Sequence, residues 1–115
     1  MAIRLERVYD ESGSKGYRVL VDRVWPRGIS KEALAADEWL KDVAPSTQLR
    51  KDFHAGELSW DEFRRGYLAE LKDHRDTLRP LAERANRETV TLLYSAKDDE
   101  HNNAVVLKQY LNMLD

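Results

Sequence analysis

Thr89-Val90-Thr91-Leu92-Leu93-Tyr94 narrows the choice of fold more than any other segment of this chain. It is almost unbroken in apolar and β-branched residues, short for a buried helix, and lacks the wet alternate positions of a half-exposed strand. It therefore predicts a strand covered on both faces. Strands of that kind belong to parallel sheets, whose crossover connections lay helices over them. Tyr17-Arg18-Val19-Leu20-Val21-Asp22 is a second β-branched run, closed by Trp25-Pro26-Arg27-Gly28 because Pro26 has no N–H for a ladder. Helical signals fill the stretch between the two runs, so a parallel pairing of residues 17–22 with 89–94 is expected.

The remaining elements follow from local pattern. Ile3 to Tyr9 alternates apolar and polar residues as a strand with one wet face, and a polar loop over residues 10–16 follows it. Ser30 can N-cap a short helix to about Ala36, and Glu38 to Val43 is ambiguous between strand and helix, with strand preferred. Pro45-Ser46 introduces a helix over Thr47 to His54, with Leu49 and Phe53 on one face, and Gly56 stops it. Ser59-Trp60-Asp61-Glu62 is a capping box, followed by the stripe Trp60, Phe63, Tyr67 and Leu71. Pro80 predicts a kink or break near 76–79 before a second helical piece, Leu81 to Ala85. A last helix from about Asn103 to Leu114 points Ala104, Leu107, Leu111 and Leu114 inward. The expected fold class is α/β: one small domain spanning residues 1–115, in two or three layers, with a mainly parallel central sheet of about four strands flanked by helices.

Composition removes whole classes of chemistry. The 115 residues contain no Cys, which excludes disulfides, thiolate catalysis and thiolate-held metals. No apolar run approaches the roughly 20 residues that span a bilayer, and Met1-Ala2-Ile3-Arg4 lacks a signal-peptide core, so a cytoplasmic protein without membrane partners is expected. A net charge of -2 argues against coating nucleic acid by bulk charge, and no helix carries the basic face that sequence-specific DNA binding needs. His54, His74 and His101 are isolated, and neither a phosphate-cradling Gly-rich motif nor a Gly-x-Ser-x-Gly elbow occurs.

Chemistry is expected where the two core strands end, since ligands of open α/β sheets bind beyond the strands' carboxyl ends. Residues 1–31 carry seven Lys or Arg against four acids, a net +3, while residues 32–115 carry twelve against seventeen, a net -5. Arg23, Arg27, Lys31 and Lys97 suit an anion held through guanidinium forks and ammonium groups, and Trp25 suits stacking on a ring. Gly28 and the free N–H groups of the Ser30 helix would face the same space. The competing reading has Arg23 and Arg27 paired with Asp22 and surface carboxylates while Trp25 lids the core. Tyr94, Ser95, Asn102 and Asn103 complete the set of ligand-contact candidates, although Asn102 or Asn103 also suits the N-cap of the last helix. Asp22 and His101 are the catalytic candidates, with Asp22 or Asp98 fixing the His101 tautomer. No cofactor is expected. A Mg2+ ion beside a phosphate needs only one or two carboxylates, which makes Asp22 with Asp98 a weakly signalled pair. The expected partner is thus a small anionic ligand or nucleotide, with turnover left open and the oligomeric state unassigned. The rival function is a protein-interaction module anchored on Trp25, Trp39 and Arg27.

Three runs carry a resemblance: Val19 to Lys31 with its Trp-Pro-Arg-Gly, Asp37 to Ser46, and Thr91 to Ala104 with its Glu-His-Asn-Asn. They resemble the YeaO-like branch of domain-of-unknown-function family 488, over about Ile3 to Leu111. The resemblance implies a small cytoplasmic α/β protein and no established reaction. Longer members of the wider family have a Cys in the strand that here ends at Leu93-Tyr94, and a Cys-His-Arg group after the acidic loop. Tyr94 and Asn102-Asn103 stand in those places, so thiol or metal chemistry of the longer members is not expected here. Asp22, Arg23, Pro26 and Arg27 do match.

Overall fold

The computed structural model describes residues 1–10 and 16–114. Four strands, β1 (Ile3–Arg7), β2 (Tyr17–Leu20), β3 (Glu38–Trp39) and β4 (Val90–Tyr94), form one sheet in the order β1-β4-β2-β3. Every pairing is parallel. All five residues of β4 are buried, as a strand flanked on both sides and covered on both faces must be. In register, Tyr17 lies beside Val90 and Leu20 beside Leu93, so the two core runs leave the sheet at the same end.

The two faces are covered unequally. Val19, Val21, Val90 and Leu92 point into the main core with helices α3 (Trp60–Leu71), α4 (Arg75–Ala85) and α5 (Asn103–Leu114), while Leu49 and Phe53 of α2 (Thr47–His54) pack against its edge. Leu20 and Leu93 point the other way, under the four-residue helix α1 (Lys31–Leu34) and the half-buried Val8, Trp25 and Ile29. Among the described residues no helix is long and apolar enough to cross a membrane.

Caps explain the helix starts. Ser30, Ser46 and Ser59 each accept a hydrogen bond from a first-turn N–H, and Glu62 Oε1 accepts one from the Ser59 N–H at 3.0 Å, completing the capping box. Ser59→Ala is therefore expected to lower stability by about 1 kcal/mol without changing the fold, which a shifted urea midpoint at constant slope would register.

Four expectations need correction. The helix does not break at 76–79: α4 runs unbroken from Arg75 to Ala85 through Pro80, and the irregular turn lies earlier, at Lys72–His74. Pro80 withholds a donor from the Asp76 carbonyl, but both residues are exposed, so water can replace it. Strand β3 stops after two residues because its partner β2 ends at Leu20, and Lys41–Val43 tightens into a 3-10 turn held by the Tyr67 hydroxyl, which donates to the Val43 carbonyl at 2.7 Å. The strands are also shorter than their apolar runs, β1 ending at Arg7 and β2 at Leu20. On α5 the inward stripe gains Val106 and Tyr110, whereas Leu114 is only half buried. Residues 11–15 of the expected polar loop lie outside the described residues.

Candidate functional site

Parallel neighbours bring their C-terminal ends together, and here that juxtaposition is bonded. Val21 N–H extends the ladder to the Leu93 carbonyl at 3.1 Å, which places Asp22 beside Ser95. One carboxylate oxygen of Asp22 accepts from the Ser95 N–H at 2.9 Å and the Ser95 hydroxyl at 2.6 Å. The other accepts from Asn103 Nδ2 at 3.1 Å, and the same amide reaches the Val21 carbonyl at 3.0 Å. Asp22 thus ties β2, β4 and the start of α5 through charge-assisted bonds.

The two asparagines divide the labour. Asn102, buried, caps α5 by accepting from the Val105 N–H at 3.1 Å, and its amide donates to the Asp98 carbonyl at 2.8 Å. Asn103 serves Asp22 instead. Asp98 folds the loop back on itself: the Glu100 N–H, then the His101 ring and N–H, hold its carboxyl below the usual carboxylate range. His101 Nδ1 lies 3.0 Å from Asp98 Oδ2, so Asp98 rather than Asp22 orients this ring. Nδ1 thus faces the Asp98 carboxylate. The ring also meets Trp60 edge-on at 5.0 Å.

Beside this network opens a cavity of about 250 Å³. Asp22, Ser95, Asn102, Asn103 and His101 are among its lining residues. Phe53 and Phe63, stacked with centroids 4.5 Å apart, contribute the apolar part together with Ala44, Pro45 and Ala96. Arg23 donates to the Pro45 carbonyl at 3.2 Å and the Ala44 carbonyl at 3.0 Å, which pins its guanidinium in the wall. From α2 come Arg50 and His54, one helical turn apart and both exposed. Asp22 is the one carboxylate among the lining residues, and three donors already surround it. The lining therefore favours negative charge. Burial, reinforced by Asp22 and Glu70, pushes the Tyr67 phenol well up, so it stays a neutral donor behind the wall.

The other sequence candidates lie elsewhere. Trp25 packs edge-on against Trp39 at 5.4 Å and donates to the Ile29 carbonyl at 2.6 Å, on the opposite face of the sheet. Arg27 is exposed, and its carbonyl accepts from the Tyr9 hydroxyl at 3.1 Å. Lys31 and Lys97 are exposed outside the cavity, and the Ser30 hydroxyl is occupied by the Ala33 N–H. Tyr94 faces a separate surface cleft with Arg7 and Asp99, and burial raises its phenol. Asp22 and Asp98 both have their oxygens engaged, and among the described residues no group of three or more His, Asp or Glu is placed to hold a metal. Arg50, His54, Phe53 and Phe63 are not among the ligand-contact candidates read from sequence, which assigns Phe53 and Phe63 to helix faces. Their signal was present, since 50, 53 and 54 form one stripe beside the Leu49–Phe53 pair.

Comparison with known proteins supplies the family. Residues 2–114 match the profile described as "Inactive DUF488-N3 subclade". The uncharacterized protein YeaO of Escherichia coli (strain K12) is 50% identical over 115 residues, covering 99% of this chain and 100% of that protein. The uncharacterized protein Rv3073c of Mycobacterium tuberculosis (strain ATCC 25618 / H37Rv) is 40% identical over 111 residues, covering 96% of this chain and 93% of its own. No solved structure matches the chain. With the Asp22 loop, the Ser95 loop and a profile match across nearly every residue, the chain belongs to the DUF488 family, in its YeaO-like branch.

Proposed function

We propose that this is a cytoplasmic binding protein for a small anion bearing a phosphate or carboxylate group, seated in the cavity beyond the ends of β2 and β4. The observation that carries the reading is the lining itself: Arg23, Arg50, His54 and His101 share it with stacked Phe53 and Phe63, against one carboxylate, Asp22, whose oxygens are already hydrogen-bonded. Arg23 and Arg50 take the charge, and the phenyl floor takes the apolar remainder of the ligand. Binding without turnover is the favoured form. Ser95 and Asp22 are committed to each other at 2.6 Å in a loop-joining role, and the matching profile is described as inactive. A cavity of about 250 Å³ is smaller than the roughly 300–1,000 Å³ of sites for drug-sized molecules, which favours a compact ligand.

A thermal-shift panel of sugar phosphates, nucleoside monophosphates and small carboxylates tests it. A ligand at 100 times its dissociation constant should stabilise the protein by about 2.7 kcal/mol. Arg50 is exposed and its side chain makes no hydrogen bond or ion pair with the described residues, so Arg50→Ala should abolish the shift and leave the unliganded protein about as stable as before. A flat panel, or a shift that survives Arg50→Ala, would remove the cavity from consideration. Val24 and Trp39, 59% and 38% exposed, favour the second reading of a protein-interaction surface. Loss of a captured partner in Trp39→Ala, with the ligand shift intact, would select it.

A further inference from the structure

A second concentration of positive charge lies away from the strand ends. Lys72, Arg75 and Arg79 recur at spacings of three and four along the turn 72–74 and the first turns of α4, which stacks them on one stripe. With Tyr110, Met113 and Leu114 of α5 they line a groove of about 310 Å³. Among the described residues none of the three cations has an ion pair or a side-chain hydrogen bond. The neighbouring acids Asp73 and Asp76 are exposed and outside the groove lining. Independently, Tyr110 is 5% exposed and its hydroxyl has no hydrogen-bond partner among the described residues. Orphaned buried hydroxyls are uncommon and point to a missing partner. The last turn of α5 carries no basic residue, so part of this charge answers its terminal carbonyls. Among the described residues those carbonyls amount to about half a negative charge, against three positive ones, and Asp115, next in sequence after Leu114, lies outside the described residues.

We propose that this groove is a binding site for a tetrahedral oxyanion of the phosphate class. Lys72, Arg75 and Arg79 hold its oxygens, and the Tyr110 hydroxyl donates to one of them. Three convergent donors of full charge suit a dianion better than a single carboxylate. Met113, 61% exposed at the rim, is placed to meet the organic part of a phosphate ester.

Titration of the full chain with inorganic phosphate and with a simple alkyl phosphate, followed by amide NMR shifts at constant ionic strength, tests the proposal. Saturable shifts should centre on Lys72, Arg75, Arg79 and Tyr110, and tighter binding of the ester would assign the source to an organic phosphate. Arg75→Ala/Arg79→Ala, altering two exposed side chains, should weaken binding at least about tenfold. Tyr110→Phe should weaken it several-fold while leaving the phosphate-free melting temperature unchanged or higher, because the unpaired hydroxyl is gone. That pair of opposite changes would not arise from a merely structural tyrosine. Shifts that sodium chloride reproduces, or a double variant that binds as tightly as wild type, overturn the site. A response abolished only by Arg50→Ala belongs to the cavity at the strand ends and likewise overturns the groove. Equal affinity in Tyr110→Phe overturns the part given to the hydroxyl.

Discussion

Replacing Asp22 with alanine is expected to destabilise the protein by about 2–4 kcal/mol, a large share of the roughly 5–15 kcal/mol that holds a domain folded. The carboxylate accepts three hydrogen bonds, from Ser95 N–H, Ser95 Oγ and Asn103 Nδ2. Hydrogen bonds to charged groups contribute about 1.5–3 kcal/mol each when intact. The site is half open to solvent, so water recovers part of that loss. Asp22→Asn should cost less, about 1–2 kcal/mol. Its carbonyl can still serve both Ser95 donors, but its NH2 group then opposes the Asn103 amide. Asn103 cannot simply flip, because the same Nδ2 also donates to the Val21 carbonyl. Urea denaturation of the three proteins reads the order wild type, Asn, Ala. A cost under about 0.5 kcal/mol for the alanine variant would mean that the loops are held by packing alone.

Gly16→Ala is expected to be the other severe lesion, at about 2–4 kcal/mol. Gly16 has φ +101°, outside the left-handed region an alanine tolerates, and a Cβ there would stand 2.3 Å from the Thr89 carbonyl oxygen. That oxygen also accepts the Tyr17 N–H at 2.9 Å, the bond that opens the pairing of β2 with β4. The methyl group must displace backbone rather than a flexible side-chain end. Gly56→Ala is the internal control: φ is +79° but nothing lies within 4 Å of the added carbon, so only the conformational strain of about 1 kcal/mol remains. Comparable melting temperatures for the two variants would show that the contact with Thr89 is relieved without loss.

Much of the fold was legible because local rules acted without competition. The β4 run could not be half wet, and its burial on both faces demanded helices and parallel neighbours. The capping box at Ser59 named its helix start because the two reciprocal bonds are local. Where local propensity met tertiary demand it was the weaker guide. Glu38 to Val43 leans to strand without excluding helix, yet the short β2 edge pairs only Glu38 and Trp39, and Tyr67 draws Val43 into a turn. Pro80 reads as a breaker, yet a helix with an exposed second turn carries it.

The candidate site divides the same way. Apolar period, β-branching and turn residues determined that the Asp22 and Ser95 loops leave one edge of a parallel sheet together, since those signals follow backbone geometry within a few residues. Which side chains then share a hollow was decided by contacts 73 and 81 residues apart, such as Asp22 with Ser95 and Asn103. Trp25 turned to the opposite face because its N–H found the Ile29 carbonyl, and Arg50 with His54 entered the cavity because α2 docks its Phe53 against Phe63. Helix orientation and loop reversal depend on packing between distant segments, and no pattern local to either segment encodes that.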